Sequence, residues 1–177
     1  IVHFARFLAH FCLLYAINDV PLHPISTKTD KVKRNMSKIK GKIVMITGGA
    51  SGIGRLMGEM VLEKGAKALV IWDINQESID ATVKELGKKG TVHGYRVDVS
   101  RHEMVAEQYD KVKKEVGDVD ILINSAGIIT SNKTFDQCTE DEINRTMMVN
   151  AIAPMYVARQ MLPDMVQRNS GHICTIA

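Results

Sequence analysis

The sequence predicts an α/β fold, a doubly wound parallel sheet that is truncated after its fifth strand. Two observations predict it. From Gly41 onward, short apolar stretches alternate with amphipathic helical ones, a pattern typical of parallel strands joined by right-handed crossovers. A glycine-rich turn at residues 47–54 also joins the first apolar stretch to the first helical one. Five strands in this order fit the first half of a Rossmann-type sheet, with a nucleotide crevice at the carboxyl ends of strands one and four.

Each element follows from the period of its apolar residues. The predicted strands are Ile43–Thr47, Ala68–Asp73, 92–97, 120–124 and 172–177. The predicted helices are 52–64, which Gly65 ends, then 77–88, 101–116 and a long helix over 140–167.

The glycine-rich turn reads Thr47-Gly48-Gly49-Ala50-Ser51-Gly52-Ile53-Gly54. Glycines at a strand-to-helix turn let the backbone approach a diphosphate closely, and the helix N-terminus offers N–H groups to the phosphates. A surface turn rich in glycine is the structural alternative. A P-loop is excluded because Arg55-Leu56, and not Lys followed by Ser or Thr, comes after the last glycine.

A carboxylate closes the second predicted strand, about 20 residues after the glycine turn. Asp73 can accept hydrogen bonds from both ribose hydroxyls of NAD and would repel the 2′-phosphate of NADP. No basic residue stands at Ser51 or Ile74, where it would favour NADP. NAD is therefore the expected cofactor and NADP the less favoured one, while a solvated acid at a strand end is the alternative for Asp73. Asp98 and residues 124–127 close strands three and four at the same edge.

These motifs together resemble the short-chain dehydrogenase/reductase family. Residues 47–54 match its TGxxxGxG signature, and Val97-Asp98-Val99 is similar to its adenine-contacting aspartate segment. Asn124-Ser125-Ala126-Gly127 is similar to its NNAG motif, with Ser125 as the one departure. Asn150 aligns with the helix asparagine of the family's Asn-Ser-Tyr-Lys tetrad. The resemblance spans residues 40–177. Within it, the sequences of residues 69–75 and 145–150 are similar to those of the branch of retinol and 17β-hydroxysteroid dehydrogenases.

The resemblance implies hydride transfer between a nicotinamide cofactor and an alcohol or carbonyl substrate, retinol-like or hydroxysteroid-like. It implies one catalytic residue within this sequence, Asn150, which would hold a water linking the tetrad lysine to solvent. It implies no metal, and it implies homo-oligomerisation of the full-length protein through the long helix. The cofactor-binding residues it implies are Thr47, Gly48, Ser51, Gly52, Ile53, Gly54, Asp73, Asp98, Val99, Asn124, Ala126 and Gly127.

Two other function classes compete with this hypothesis. A non-catalytic dinucleotide-binding module would need the same cradle and no catalyst. A nucleotide-sugar epimerase is disfavoured because its glycine spacing is TGxxGxxG.

The strand at residues 171–177 is similar to the family strand that leads into the catalytic serine, with a Tyr-x-x-x-Lys pair about a dozen residues later. The sequence stops before either, so we expect this chain to be an inactive N-terminal fragment. Tyr109 and Lys113 have the spacing of the pair, but they precede strand four on a charged helix. We interpret them as a chance match on a solvated helix face.

The first residues of the chain differ in composition from the rest. Residues 1–42 hold eight Lys/Arg against two Asp/Glu, whereas residues 43–177 hold fifteen against eighteen. The mildly acidic globular part gives no reason to expect nucleic acid as a partner. We expect residues 39–177 to form the NAD-binding domain and residues 1–38 to be an extension.

The extension has two interpretations. It is apolar with amphipathic spacing and then basic, which would suit an interfacial anchor at an anionic membrane. A domain starting near Met36 would instead leave it as a leader without a structural role. Three cysteines, Cys12, Cys138 and Cys174, are too few and too scattered for a zinc site or a disulfide framework. The expected location is therefore cytoplasmic, or peripheral on an intracellular membrane.

Overall fold

A computed structural model describes residues 38–129 and 133–176. These residues form a five-stranded parallel sheet in the order β3-β2-β1-β4-β5. The order reverses between β1 and β4, so the predicted doubly wound topology is confirmed. The strands are β1 Ile43–Thr47, β2 Ala68–Asp73, β3 Val92–Arg96, β4 Ile121–Asn124 and β5 His172–Thr175.

Each predicted helix is present, with ends displaced by one or two residues. The helices are α1 Gly52–Glu63, α2 Gln76–Leu86, α3 His102–Glu115, α4 Glu140–Met147 and α5 Ala153–Gln167, and a short 3₁₀ turn lies at Phe135–Gln137. Gly65 follows α1 with φ +80, as a helix-ending glycine does. Asn75 caps the start of α2, since its side chain accepts a hydrogen bond from the Ser78 backbone N–H.

The predicted long helix is not regular. Between α4 and α5 the chain makes a π-helical turn, Met148–Ile152, which contains Asn150. The helical range over 140–167 was therefore correct, but its interruption was not predicted. A π turn inserts one extra residue into the helix, and such turns are frequent at functional sites.

The sheet separates two cores. The alternating side chains of β1 show the division, since Val44 and Ile46 pack with α1 and α2, while Ile43 and Met45 pack with α3 and α5. Both cores are built from apolar residues that are nearly all inaccessible, Trp72 among them. With both faces covered, the strands are almost continuously apolar, as parallel strands should be.

Within the described ranges, no helix is both long and apolar enough to cross a bilayer. The extension predicted for residues 1–38 lies outside the described residues except at Lys38.

Candidate functional site

The glycine turn after β1 is held closed by the neighbouring strand. The N–H groups of Gly48 and Gly49 both donate to the Trp72 carbonyl, at 2.7 and 3.3 Å. Gly48 and Gly52 have positive φ angles of 65° and 50°. A Cβ on Gly54 would lie 2.2 Å from the Gly48 carbonyl oxygen, so α1 starts in direct backbone contact with the turn. The chain can make this turn only with glycine at Gly54.

Thr47 ties this turn to the loop after β4. Its hydroxyl is buried and accepts hydrogen bonds from the Ser125 and Ala126 N–H groups, both at 3.2 Å. The backbone of Ala126 comes so close that a Cβ on Gly48 would lie 2.8 Å from its Cα. In this structure Thr47 therefore positions the cradle, and its side chain faces the protein.

Asp73 lies at the end of β2, at the strand end where the sequence predicted it. One carboxylate oxygen accepts from the Ala50 N–H at 3.1 Å, and the other accepts from the Asn75 N–H at 3.2 Å. Each oxygen has lone pairs beyond these bonds, and the residue is partly exposed. The carboxylate is thus fixed in orientation and can still accept from a ligand.

Asp98 and Val99 follow β3 at the same edge. The Asp98 Oδ1 accepts from the Ser100 N–H at 3.0 Å and from the Ser100 hydroxyl at 2.6 Å. Val99 is buried in the core under α3. Since Asp98 is fixed by a tight local turn, it presents its backbone and its remaining oxygen at a defined position.

Asn124 ends β4 and is almost fully buried. Its amide nitrogen donates to the Pro154 carbonyl at 3.3 Å and to the Thr175 hydroxyl at 3.4 Å. Its Oδ1 has no hydrogen-bond partner among the described residues. A buried acceptor without a donor costs free energy. The arrangement therefore fits a site in which a bound group or a water donates the missing hydrogen bond.

Asn150 lies in the π turn and faces the loop after β4. Its Oδ1 accepts from the Ile128 N–H, and its amide donates to the Ile128 carbonyl, both at 2.9 Å. A Cβ on Gly127 would lie 3.5 Å from the same Oδ1. The structure therefore brings the predicted helix asparagine and the predicted Asn124–Gly127 motif together.

Sequence reasoning missed Thr82, a buried threonine on α2. Its hydroxyl donates to the Ala50 carbonyl at 3.0 Å, and the N–H of the same residue, Ala50, donates to Asp73. Its position on the buried face of α2 was a signal, since a polar residue there needs a partner.

The interpretation of Tyr109 as part of a solvated helix face is wrong. Tyr109 is only 3% exposed, and its hydroxyl donates to Asp164 Oδ2 at 2.9 Å. Lys113 donates to the same oxygen at 2.8 Å, so the pair joins α3 to α5. Tyr109 is packed in the core under one face of the sheet and does not line the glycine turn, whereas Lys113 is partly exposed. The Tyr-x-x-x-Lys spacing therefore reflects a shared structural contact with Asp164, which the sequence did not predict.

The residues present fit a dinucleotide: a backbone cradle closed to side chains at Gly48 and Gly54, a helix N-terminus behind it, and an oriented carboxylate at the next strand. Among the described residues, no group of three or more His, Cys, Asp and Glu side chains could hold a metal ion.

The chain is similar to known proteins. A family profile described as short chain dehydrogenase matches residues 42–177. The chain is 40% identical over 167 residues to epidermal retinol dehydrogenase 2 of Mus musculus, covering 93% of this chain and 51% of that protein. It is 37% identical to 17-beta-hydroxysteroid dehydrogenase 13 of Homo sapiens, covering 82% of this chain and 48% of that protein.

A solved structure, NAD+-bound xylitol dehydrogenase, superposes with a TM-score of 0.73 at 25% identity, covering 77% of this chain and 53% of that one. The chain spans about half the length of the curated relatives it matches.

Proposed function

We propose, since this chain belongs to the short-chain dehydrogenase family, that it is the cofactor-binding part of an NAD-dependent oxidoreductase acting on an alcohol or carbonyl substrate. The contact that carries the proposal is the 3.1 Å hydrogen bond from the Ala50 N–H to Asp73. It links the phosphate cradle to the carboxylate that would read the adenosine ribose, so both parts of a dinucleotide site are held in one network.

The cradle residues would hold the diphosphate. Backbone N–H groups at the start of α1, beyond Ser51, would donate to phosphate oxygens, and the helix dipole would favour their negative charge. Gly48, Gly52 and Ile53 would line the approach, and Gly54 keeps the helix close. When bound, the nicotinamide supplies the hydride acceptor or donor.

Asp73 supports NAD over NADP. Its carboxylate would lie where a 2′-phosphate would have to sit, and two like charges at hydrogen-bond distance repel. Ile74, 59% exposed beside it, offers no positive charge. Asp98 and Val99 would border the adenine, and Asn124, Ala126 and Gly127 would let the second ribose pass close to the backbone.

Asn150 would serve the reaction through its main chain and its place in the π turn. Both polar atoms of its side chain bond to Ile128, so the side chain fixes the turn. A π turn interrupts the regular helix pairing, and a main-chain carbonyl freed by it would accept a hydrogen bond from a water, as the water-holding role expected of this asparagine requires.

The substrate proposal is drawn from the relatives. Their printed names are retinol and hydroxysteroid dehydrogenases, so a retinol-like or steroid-like alcohol is proposed for the longer protein. We propose that this 177-residue chain binds the cofactor.

Two measurements test the proposed cofactor and the proposed activity. Calorimetric titration of the chain should give one NAD site per chain and weaker NADP binding. The longer protein that contains this chain should then oxidise all-trans-retinol or estradiol with NAD, measured as NADH formation.

Absence of NAD binding would overturn the cofactor proposal. NAD binding without turnover in the longer protein, together with no Tyr-x-x-x-Lys in its sequence, would favour the non-catalytic dinucleotide-binding module.

A further inference from the structure

The amino ends of the five strands carry a segregated positive charge. In a parallel sheet the segments that precede the strands share one edge, here residues 38–42, 63–67, 87–91, 117–120 and 168–171. These segments hold eight Lys/Arg and three Asp/Glu. Residues 38–177 as a whole hold eighteen of each sign, so the excess at this edge is a separation of charge and not a basic composition.

Backbone hydrogen bonds fix the first two of these segments against each other. The Gly41 N–H donates to the Gly65 carbonyl, and the Lys67 N–H donates to the Lys42 carbonyl, both at 2.8 Å. The Lys40 side chain packs over Gly65. The lysines before β1 and β2 therefore form one continuous surface.

The segment before β3 joins this surface through Lys89. Its ammonium contacts Glu59 and Glu63 near the end of α1, at 2.7 and 2.8 Å. Lys88 precedes it and is exposed. The surface thus extends across β1, β2 and β3.

Some of the basic residues at this edge are already neutralised. Lys42 and Arg168 both contact Asp120, at 3.2 and 3.4 Å, and Lys89 has its two glutamates. The remaining five lysines are exposed and are not in any ion pair of the described part of the chain. We call this set the basic edge: Lys38, Lys40, Lys64, Lys67 and Lys88.

We infer that the basic edge docks the domain onto an anionic membrane surface. Clusters of four to eight exposed lysines or arginines are what acidic lipid headgroups attract, at about 1 kcal/mol each. The described residues also begin at Lys38, on this edge, and the sequence shortly before it contains Lys31, Lys33 and Arg34. A surface of lysine ammoniums suits mobile headgroups, because it offers point charges and no fixed pattern of donors.

A nucleic acid is the other polyanion to consider. Proteins that read one rely on arginine forks and on aromatic side chains that stack on bases. The basic edge contains neither. We therefore commit to the lipid surface and make nucleic acid an outcome of the test.

Docking by this edge leaves the cofactor site accessible. The glycine turn lies at the carboxyl ends of the strands, and a five-residue strand at about 3.3 Å per residue sets it roughly 16 Å from the amino ends. NAD could then enter from water while the opposite edge contacts the headgroups.

The test uses the full 177-residue chain and vesicle co-sedimentation. The vesicles are phosphatidylcholine alone, or phosphatidylcholine with about 30% phosphatidylserine. We expect binding to the acidic vesicles only, and a strong decrease when salt rises from about 0.1 M to about 0.5 M.

The decisive variant reverses three of the lysines, Lys64→Glu, Lys67→Glu and Lys88→Glu together. The loss of three lysines at about fivefold each should lower the partition coefficient on the order of 100-fold, and the repulsion by the three added carboxylates should lower it further. The neutral version, Lys64→Gln with Lys67→Gln and Lys88→Gln, should give a smaller decrease and guards against a folding defect.

The matched control makes the same change of net charge elsewhere, with Arg101→Glu, Arg145→Glu and Arg159→Glu, all exposed and outside the edge. The partition coefficient of this control should stay within about threefold of the parent's, because charges beyond a Debye length of about 10 Å are screened.

Three results would overturn the inference: parental binding by both edge variants, an equal loss in the matched control, or binding to a DNA duplex that exceeds vesicle binding and is lost in the same edge variants. None of them depends on whether the protein binds NAD.

Discussion

At the scale of single residues, two glycines of the cradle are required for different physical reasons. Gly54 lacks the space for a side chain, since its Cβ would overlap the Gly48 carbonyl oxygen. Gly52 has open space around it but a φ of +50, which L-residues adopt at some cost. The sequence shows both as glycine, and only the structure separates them.

Substitution should separate them too. Gly54→Ala should lower the free energy of unfolding by about 3 kcal/mol or more, because rigid backbone would have to move. Gly52→Ala should cost only about 1 kcal/mol of left-handed strain. Urea unfolding followed by circular dichroism measures both. Equal losses in the two variants would contradict the contact seen at Gly54.

The second residue-scale prediction concerns the charge on Asp73. Asp73→Asn keeps an acceptor for the Ala50 N–H and removes the charge. Because hydrogen bonds to a charged group are stronger by about 1–1.5 kcal/mol, NAD affinity should fall roughly 10-fold. NADP affinity should hold or rise, since the repulsion is gone.

Titration calorimetry with both cofactors measures this preference. Asp80→Asn is the control, because Asp80 is exposed on α2 and bonds to Gln76. A parallel loss of NAD and NADP affinity in Asp73→Asn would argue against discrimination by charge.

At the scale of elements, a polar contact joins α3 to α5 at the margin of an otherwise apolar core. Tyr109 and Lys113 share the Asp164 carboxylate oxygen. Burial, with the hydrogen bond to Asp164, raises the pKa of the Tyr109 phenol well above its usual value. The hydrogen bond to Asp164 raises the pKa of Lys113, and the same bond lowers the pKa of Asp164.

These directions give the dependence of stability on pH. A group whose pKa is raised on folding contributes stability that is complete below its unfolded pKa, about 10 for tyrosine, and that is lost as pH rises beyond it. The lowered pKa of Asp164 contributes stability above about pH 4, which is lost as pH falls further. The unfolding midpoint should therefore decline at both ends of the pH range.

Tyr109→Phe tests the alkaline side. It should cost about 1–2 kcal/mol at neutral pH, since it removes a hydrogen bond to a charged acceptor. The decline of the midpoint above pH 10 should become shallower, because Tyr109 would no longer contribute while the raised pKa values of Lys113, Lys89 and Tyr95 still would. NAD affinity should not change. Thermal melts over pH 7–11 measure this, and an unchanged alkaline slope would contradict it.

Tyr156→Phe is the matched control for that experiment. The Tyr156 ring lies against His102, with centroids 5.5 Å apart. The alkaline slope of this variant should equal that of the parent.

The elements were predictable where a local pattern decides them. Strand β1 and helix α1 follow from four apolar residues, a glycine turn and a 3.6-residue period. The π turn was not predictable, because it depends on Asn150 bonding to Ile128, 22 residues away along the chain. The position of Tyr109 in the core was missed for a similar reason, since its partner Asp164 is 55 residues away.

At the scale of the whole molecule, the site could be predicted because topology gathers it. Residues after β1, β2 and β4 must meet at one edge of a parallel sheet, whatever the details of packing. Which atoms face a ligand could not be predicted. The hydroxyl of Thr47 faces the protein, and Asn124 has a buried acceptor that finds no partner in the described part of the chain. Both features depend on contacts between distant segments.

The contacts made by the residues before β1 define where the folded domain begins. Ile39 is 5% exposed and belongs to the core shared with α1. The Gly41 N–H bonds to the Gly65 carbonyl, and Lys42 contacts Asp120. We therefore propose that the folded unit needs the chain from about Ile39 onward and does not need residues 1–35.

Two shortened chains test this boundary. A chain beginning at Met36 should have a free energy of unfolding within about 0.5 kcal/mol of the parent's, as changes outside the core usually do. A chain beginning at Ile43, after an initiator methionine, should lose on the order of 3 kcal/mol, because it forfeits the burial of Ile39 and the hydrogen bond of Gly41. Urea unfolding measures both. A large loss on starting at Met36 would show that the preceding residues pack on the domain, and an unchanged stability on starting at Ile43 would show that the contacts of Ile39 contribute nothing.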